Sequence, residues 1–458
     1  MHRFRLAFFD RVVLCAVLAL AGAPLAWPDD DARGILERYI AQPDSSLEWH
    51  VAAAGNVGTA EYVEYVLTSQ TWRGIAWKHQ LFILRPANMT TNAKQALLFV
   101  HGGRWKPEYD ASGRATELPS ESLLFARLAE TIAAPVAVLR QVPFAPIFDR
   151  KEDALIAYTF DQYLRSGESD WPLLLPMVKS SVRAMDAVQA IVRERWDVSI
   201  DAFTVAGASK RGWTSWLTAV VDPRVKAIAP MVIDVLNMQA QMDHQRATWG
   251  DVSEEIRDYA ALDLPARLAT ERGRRLLSIV DPYSYRERLT QAKLILLSTN
   301  DRYWPLDALK LYWPGLPEPK RVLYVPNQGH GLQDIERVIG ALSAVHRHSA
   351  SARPLPMLSW TSTAARSLTF AVSADTPPAR VSIWSAQSPT RDFRDAHWTS
   401  SPCQPTNNGY DCAVPRADQG YTAAFAEAAF VEGQAPPFSL STTVCIAGPD
   451  SPEASGTC

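Results

Sequence analysis

The stretch Ala202-Phe203-Thr204-Val205-Ala206-Gly207-Ala208-Ser209-Lys210-Arg211-Gly212-Trp213 decides how the rest of the chain is read. Its first five residues are apolar or β-branched, the pattern of a strand buried on both faces. Beyond it, Trp213, Trp216, Leu217 and Val220 recur at helical spacing. A serine between such a strand and such a helix sits on a sharp turn. The turn lifts the hydroxyl above the sheet edge, and the helix start aims backbone amides at any oxyanion formed there. The usual G-x-S-x-G pattern is altered: Arg211 stands where the second glycine belongs, and Gly212 follows one residue later. The alternative reading is a serine capping an ordinary helix.

Working outward, short apolar runs alternate with helical stretches. Leu97 to Val100, Pro135 to Val142, Val225 to Val232, Leu294 to Ser298 and Val322 to Val325 read as further buried strands. Met177 to Arg195 has helical spacing through Val178, Val182, Met185 and Val192. Strands alternating with helices predict an α/β fold of the α/β-hydrolase type, with a mostly parallel sheet covered on both faces. In front of it, Ile35 to Ile40 reads as a short helix. Tyr62 to Gln70 and Ala76 to Arg85 read as an antiparallel pair turning at Arg73-Gly74. The rhythm breaks at about 235–292, an inserted segment that is either a lid over the site or a plain helical decoration. From residue 351 the composition turns to Ser, Thr, Pro and Ala. Ser367 to Ala374, Ala379 to Trp384, Asp411 to Val414, Gly420 to Ala426 and Ser441 to Ile446 predict a small β-sandwich over 351–458.

A hydrolytic triad in such a fold runs Ser, acid, His in chain order, each beyond a strand's C-terminal end. Leu294 to Asp301 is a strand ending in an acid, and Val322 to His330 is a strand ending in a loop histidine. Ser209, Asp301 and His330 are therefore the candidate nucleophile, acid and base. Asp234 also ends a strand and is the rival acid; Asp307 lies further along. His244 falls in the inserted segment and reads as a surface or lid residue, and His346 and His348 as solvated positions after the last helix. His101-Gly102-Gly103-Arg104, after an early strand, is the candidate oxyanion turn. It would offer amides near Gly103 and Arg104, with that of Lys210 as partner. Lys210 and Arg211 either bind an acidic substrate group or pair with local carboxylates.

The 458 residues carry a net charge of −3, with 47% hydrophobic and 21% charged residues. That balance allows a large core and gives no footprint for nucleic acid. The fifteen Trp are read as core packing ahead of a sugar-binding role. No H-E-x-x-H, phosphate loop or dinucleotide glycine signature occurs, so no metal and no cofactor is expected. The N-terminus has basic Arg3, Arg5 and Arg11, an apolar run Val12 to Ala21 and small residues up to Ala26. It reads as a signal peptide over 1–26, too short to span a bilayer, and predicts an exported chain with no stable membrane anchor. Cys403, Cys412, Cys445 and Cys458 then suggest two disulfides. Cys403–Cys412 with Cys445–Cys458 is preferred among three pairings.

The run Gly207 to Thr214 resembles the PhoPQ-activated pathogenicity-related protein family. So do Gln141-Val142-Pro143, the Trp171-Pro172 to Asp186 helix, Asn300-Asp301 and Gly329-His330. The resemblance spans roughly residues 35 to 450. It implies a hydrolase-like fold and export, with links to virulence regulation and antimicrobial-peptide resistance. The elbow is also similar to that of glucuronoyl esterases, in which a basic residue after the serine helps hold the oxyanion, the position of Lys210 and Arg211 here. Two functions follow as expectations. One is an exported serine hydrolase, esterase or peptidase, acting on a small-molecule or peptide substrate through an acyl-enzyme on Ser209. The other is a non-catalytic secreted binding or signalling protein on the same scaffold.

Overall fold

The computed structural model of the protein describes residues 28–111, 118 and 120–448. The expected signal peptide and Cys458 lie outside the described residues. The leading strands are β1 (Glu48–Val57), β2 (Ala60–Trp72) and β3 (Ile75–Arg85), joined antiparallel in that order. The pair read from the sequence is present. Strand β1 was not foreseen, because its burial pattern is mostly exposed and leaves no apolar alternation to read.

Strands β4 (Gln95–Val100), β5 (Val136–Leu139), β6 (Ala202–Ala208), β7 (Val225–Met231), β8 (Ala292–Ser298) and β9 (Lys320–Val325) form the parallel centre. The order β1-β2-β3-β5-β4-β6-β7-β8-β9 is that of an α/β-hydrolase sheet. Side chains alternate between the two cores. Leu98, Val100, Val205, Ile295 and Leu297 enter one, while Leu97, Ala206, Leu294 and Leu296 enter the other. That double burial is why these strands read as unbroken apolar runs. Strand β5 stops at Leu139, short of the expected Val142, because Gln141 takes a positive φ of 57° and leaves the extended conformation.

The C-terminal region builds β10 (Leu358–Ala364), β11 (Ser367–Ala374), β12 (Arg380–Ser388), β13 (Thr399–Pro402), β14 (Gln404–Thr406), β15 (Gly409–Pro415), β16 (Tyr421–Phe430), β17 (Phe438–Ser441) and β18 (Cys445–Ala447). Four of these, in the order β10-β11-β15-β14, make a separate antiparallel sheet. The others extend the central sheet, because β17 pairs with β9 at Ser441 and Val322. The two antiparallel layers face each other through Phe370, Val372, Ile383 and Ala424, all buried in one core. The single strand expected over Ser441 to Ile446 is two, β17 and β18, interrupted where the Thr442 hydroxyl accepts from Ala426 N at 3.0 Å. Cys403 and Cys412 form the expected disulfide. Cys445 is disulfide-bonded, and its expected partner lies outside the described residues.

His346 and His348 correct the expectation of solvated positions. The helix Ile335–Ala350 keeps its last turn on the core, and the two side chains are 1% and 5% exposed. His346 Nδ1 lies 3.1 Å from Thr204 Oγ1, and burial pushes the imidazole down to about 3. His348 bridges Pro354 O at 2.8 Å and Glu432 at 2.9 Å.

Candidate active site

Ser209 occupies the junction between β6 and the helix Lys210–Val221 with φ 57° and ψ −131°. A non-glycine residue at that φ is strained and must be held by its surroundings. Its N–H donates to Met231 O on the neighbouring strand at 2.8 Å. The displaced glycine has a steric explanation. A Cβ on Gly212 would sit 2.8 Å from Gly207 O and 2.7 Å from Ile233 Cγ2, and one on Gly207 would sit 2.7 Å from Arg211 O. Helix and strand therefore close on each other at Gly207 and Gly212, and the position between them is free to be Arg211.

Asp301 follows β8 and His330 follows β9, neighbouring parallel strands in register at Ser298 and Val325. The carboxylate of Asp301 accepts from Tyr303 N at 2.9 Å and lies 2.9 and 3.1 Å from His330 Nδ1. With Nδ1 turned to a carboxylate, the neutral ring carries its proton there and leaves Nε2 as the acceptor. His330 Nε2 is buried without a hydrogen-bond partner among the described residues. The Tyr303 ring lies over the imidazole, centroids 4.2 Å apart. Ser209 and His330 line one cavity, together with Lys210, Asp153 and Tyr303. The inserted segment supplies Met238, Met242, Ile256, Tyr259, Leu264 and Leu268 to the same wall.

The rival groups have other partners. Asp234 is buried against the Tyr312 hydroxyl, and burial pushes its carboxyl up to about 7. His244 is not a surface residue: its Nε2 lies 2.6 Å from Asp307 Oδ1, and its side chain is 12% exposed. Burial alone would raise the Asp307 carboxyl, but the His244 hydrogen bond and the Lys310 charge outweigh it and hold it far below the usual range.

The basic pair after the serine meets local carboxylates. Lys210 Nζ is 3.0 Å from Glu152 and 3.2 Å from Asp153, while Arg211 reaches Glu152 at 2.6 Å and Val142 O at 2.6 Å. Burial raises the Glu152 carboxyl, but the two cations more than offset it and bring it to about 2. Asp153 also accepts from the Tyr259 hydroxyl at 3.1 Å, so the inserted segment is tied to this cluster. Glu152, Asp153, Tyr259 and Tyr303 carried no signal in the sequence, because their meeting is purely tertiary. The turn after β4 leaves the sheet beside the elbow, since Val100 is in register with Gly207. A Cβ on Gly102 would lie 2.4 Å from the Arg211 guanidinium, and Gly103 has φ 124°, which only glycine adopts readily. Gly103 and the exposed Arg104 are outside the cavity wall; Lys210 is part of it.

The loops carrying Asp301 and His330 are braced from the C-terminal region. Asn300 Nδ2 donates to Ala396 O at 2.7 Å and to Arg394 O at 3.2 Å. Asn327 exchanges two hydrogen bonds with the Trp398 backbone, at 2.9 and 2.8 Å. Asn300 N donates to Gln328 O at 3.0 Å, joining the two loops directly. No group of three metal-ligating side chains and no helix able to cross a membrane occurs among the described residues.

Several known proteins are similar to this chain. The autocrine proliferation repressor protein A of Dictyostelium discoideum is 31% identical over 470 residues, covering 92% of this chain and 90% of that one. Among solved structures, acetyl xylan esterase 1 from Thermoanaerobacterium sp. superposes with a TM-score of 0.47 at 16% identity, covering 69% of this chain and 94% of that chain. A glucuronoyl esterase from Solibacter usitatus gives 0.40 at 13%, covering 69% and 91%. The family described as PhoPQ-activated pathogenicity-related protein matches residues 36–394, and with most of its length so matched the chain belongs to that family.

Proposed function

We propose that the protein is an exported serine hydrolase that cleaves an ester or amide bond through an acyl-enzyme on Ser209. One observation carries this reading. A histidine held through Nδ1 by Asp301 keeps Nε2 buried and unpaired in the wall of a cavity that Ser209 also lines. In the reaction, Ser209 Oγ attacks the carbonyl carbon while His330 Nε2 takes its proton. The carbonyl oxygen becomes an oxyanion, met by the amide of Lys210 at the helix start, while the turn at Gly103 and Arg104, outside the cavity wall, is left without a direct part in holding it. His330 returns the proton to the leaving group. A water deprotonated by the same nitrogen then releases the acid. Asp301 fixes the tautomer and stabilises the imidazolium. The basic N-terminal residues, the apolar run after them and the Cys403–Cys412 disulfide support export.

A second reading keeps the scaffold without the chemistry: a secreted binding or signalling protein. It is favoured by the printed name of the Dictyostelium relative. A fluorophosphonate probe separates the two. Labelling of the wild type and not of Ser209→Ala is the expected result. Folded wild-type protein that takes no label and turns over no short acyl ester would leave only the binding protein.

A further inference from the structure

The cavity beside Ser209 differs from the rest of the site in chemistry. Trp213, Ile233, Val235, Met238, Met242 and Leu268 line it, and all are buried. Trp213 spends its indole N–H on Val280 O at 2.6 Å, so it offers the cavity an apolar surface. The wall's lysine, Lys210, is held by Glu152 and Asp153. The room is about 60 Å³, enough for a few atoms the size of water. Ile233 follows β7, while Val235, Met238, Met242 and Leu268 come from the inserted segment.

We propose that this cavity is the acyl-binding pocket and selects short, uncharged, apolar acyl groups, of about two to four carbons. The proposal rests on Ser209 being the nucleophile, as argued above. An acyl group bound there places its carbonyl at Ser209 and its tail against Met238, Met242 and Leu268. Longer chains outgrow this room. A carboxylate at the end of the tail leaves water for a mostly apolar wall, where the buried Trp304 indole N–H is a neutral donor that cannot balance its charge, and it competes for Lys210 with two carboxylates already bound to it. The inserted segment is then a specificity element: its side chains set the length of the acyl group, while the sheet edge supplies the chemistry.

The test is an acyl-length series of p-nitrophenyl esters, from acetyl to decanoyl, with a succinyl ester alongside the butyryl one. kcat/KM is expected to be highest between acetyl and butyryl and to fall by roughly tenfold for each methylene that overruns the pocket. The succinyl ester is expected to be at least roughly 100-fold poorer than butyryl. Met242→Ala and Leu268→Ala enlarge the cavity and raise the ratio of hexanoyl to acetyl kcat/KM by roughly tenfold or more. Val235→Phe fills it and lowers the butyryl-to-acetyl ratio, so the two classes of variant move the ratio oppositely. Far-UV circular dichroism and a melting curve confirm that each variant is folded. Ser209-dependent turnover with a flat length profile, or ratios unmoved by wall variants of both kinds, overturns the pocket and leaves the nucleophile standing. Equal turnover of succinyl and butyryl esters overturns it as well. Absence of any Ser209-dependent turnover removes the nucleophile and the pocket together.

Discussion

The loop after β8 carries two aspartates, each paired with a histidine, and the pairs differ in one respect. Asp301 holds His330 by Nδ1 and leaves Nε2 without a partner on the cavity wall. Asp307 holds His244 by Nε2, is itself neutralised by Lys310, and leaves His244 Nδ1 facing Thr248 at 3.5 Å. Both pairs have the same residue types and similar burial of the acid. A histidine works as a base only when one nitrogen is oriented and the other can reach a reacting hydroxyl. By that criterion the first pair is the one that fits the proposed chemistry, while the second ties the inserted segment to the loop after β8.

Substitutions can break or sharpen this contrast. The largest effect is expected at the nucleophile: Ser209→Ala should lower kcat by roughly 10³-fold or more without shifting the melting temperature downward. Asp301→Asn should lower kcat by roughly 10²- to 10⁴-fold, because the amide cannot hold the reactive tautomer. Asn327→Ala removes the brace from Trp398. It should lower kcat by roughly 10- to 100-fold through misplacement of the His330 loop, with KM little changed. His244→Gln should cost about 1–3 kcal/mol in denaturant unfolding by leaving Asp307 short of a partner. Its kcat should stay within a few-fold of the wild type, and a loss comparable to that of Asp301→Asn would erase the distinction between the pairs.

The smallest effect is a pH dependence of stability. His346 is held neutral in the folded protein, at about 3, while the unfolded chain takes up a proton near the ordinary value of 6.5. The unfolded state therefore binds more protons between these values, and stability falls as pH drops below about 6.5. His79, brought to about 4 by burial, acts in the same direction. The share of His346 should be about 1–2 kcal/mol at pH 5. His346→Gln keeps a partner for Thr204 and should flatten part of that slope in melting curves taken from pH 5 to 7.5.

What could be read without coordinates was whatever local sequence dictates. Buried parallel strands announce themselves as apolar runs, and Ser209, Asp301 and His330 each stand at the end of one. The altered elbow was legible as an oddity, but its reason, the contact of Gly212 with Gly207 O, needs the strand and helix in place. Three things stayed hidden because they arise only from packing. The carboxylates that hold Lys210 and Arg211 come from the start of a different helix, at Glu152 and Asp153. The brace on Asn300 and Asn327 comes from residues 394–398, across the sheet edge. His346 and His348 look like polar residues at a helix end, yet Thr204 and Glu432 reach them from elsewhere in the chain.

The central claim is that Ser209 becomes covalently acylated. Acid-quenching the wild-type protein within milliseconds of mixing with a short acyl ester, then mapping the added mass by tandem mass spectrometry, reads this directly. The account predicts one acyl group on Ser209 in the wild type and none in Ser209→Ala. Catalytic turnover with no adduct at Ser209, or with the adduct on another residue, would contradict it.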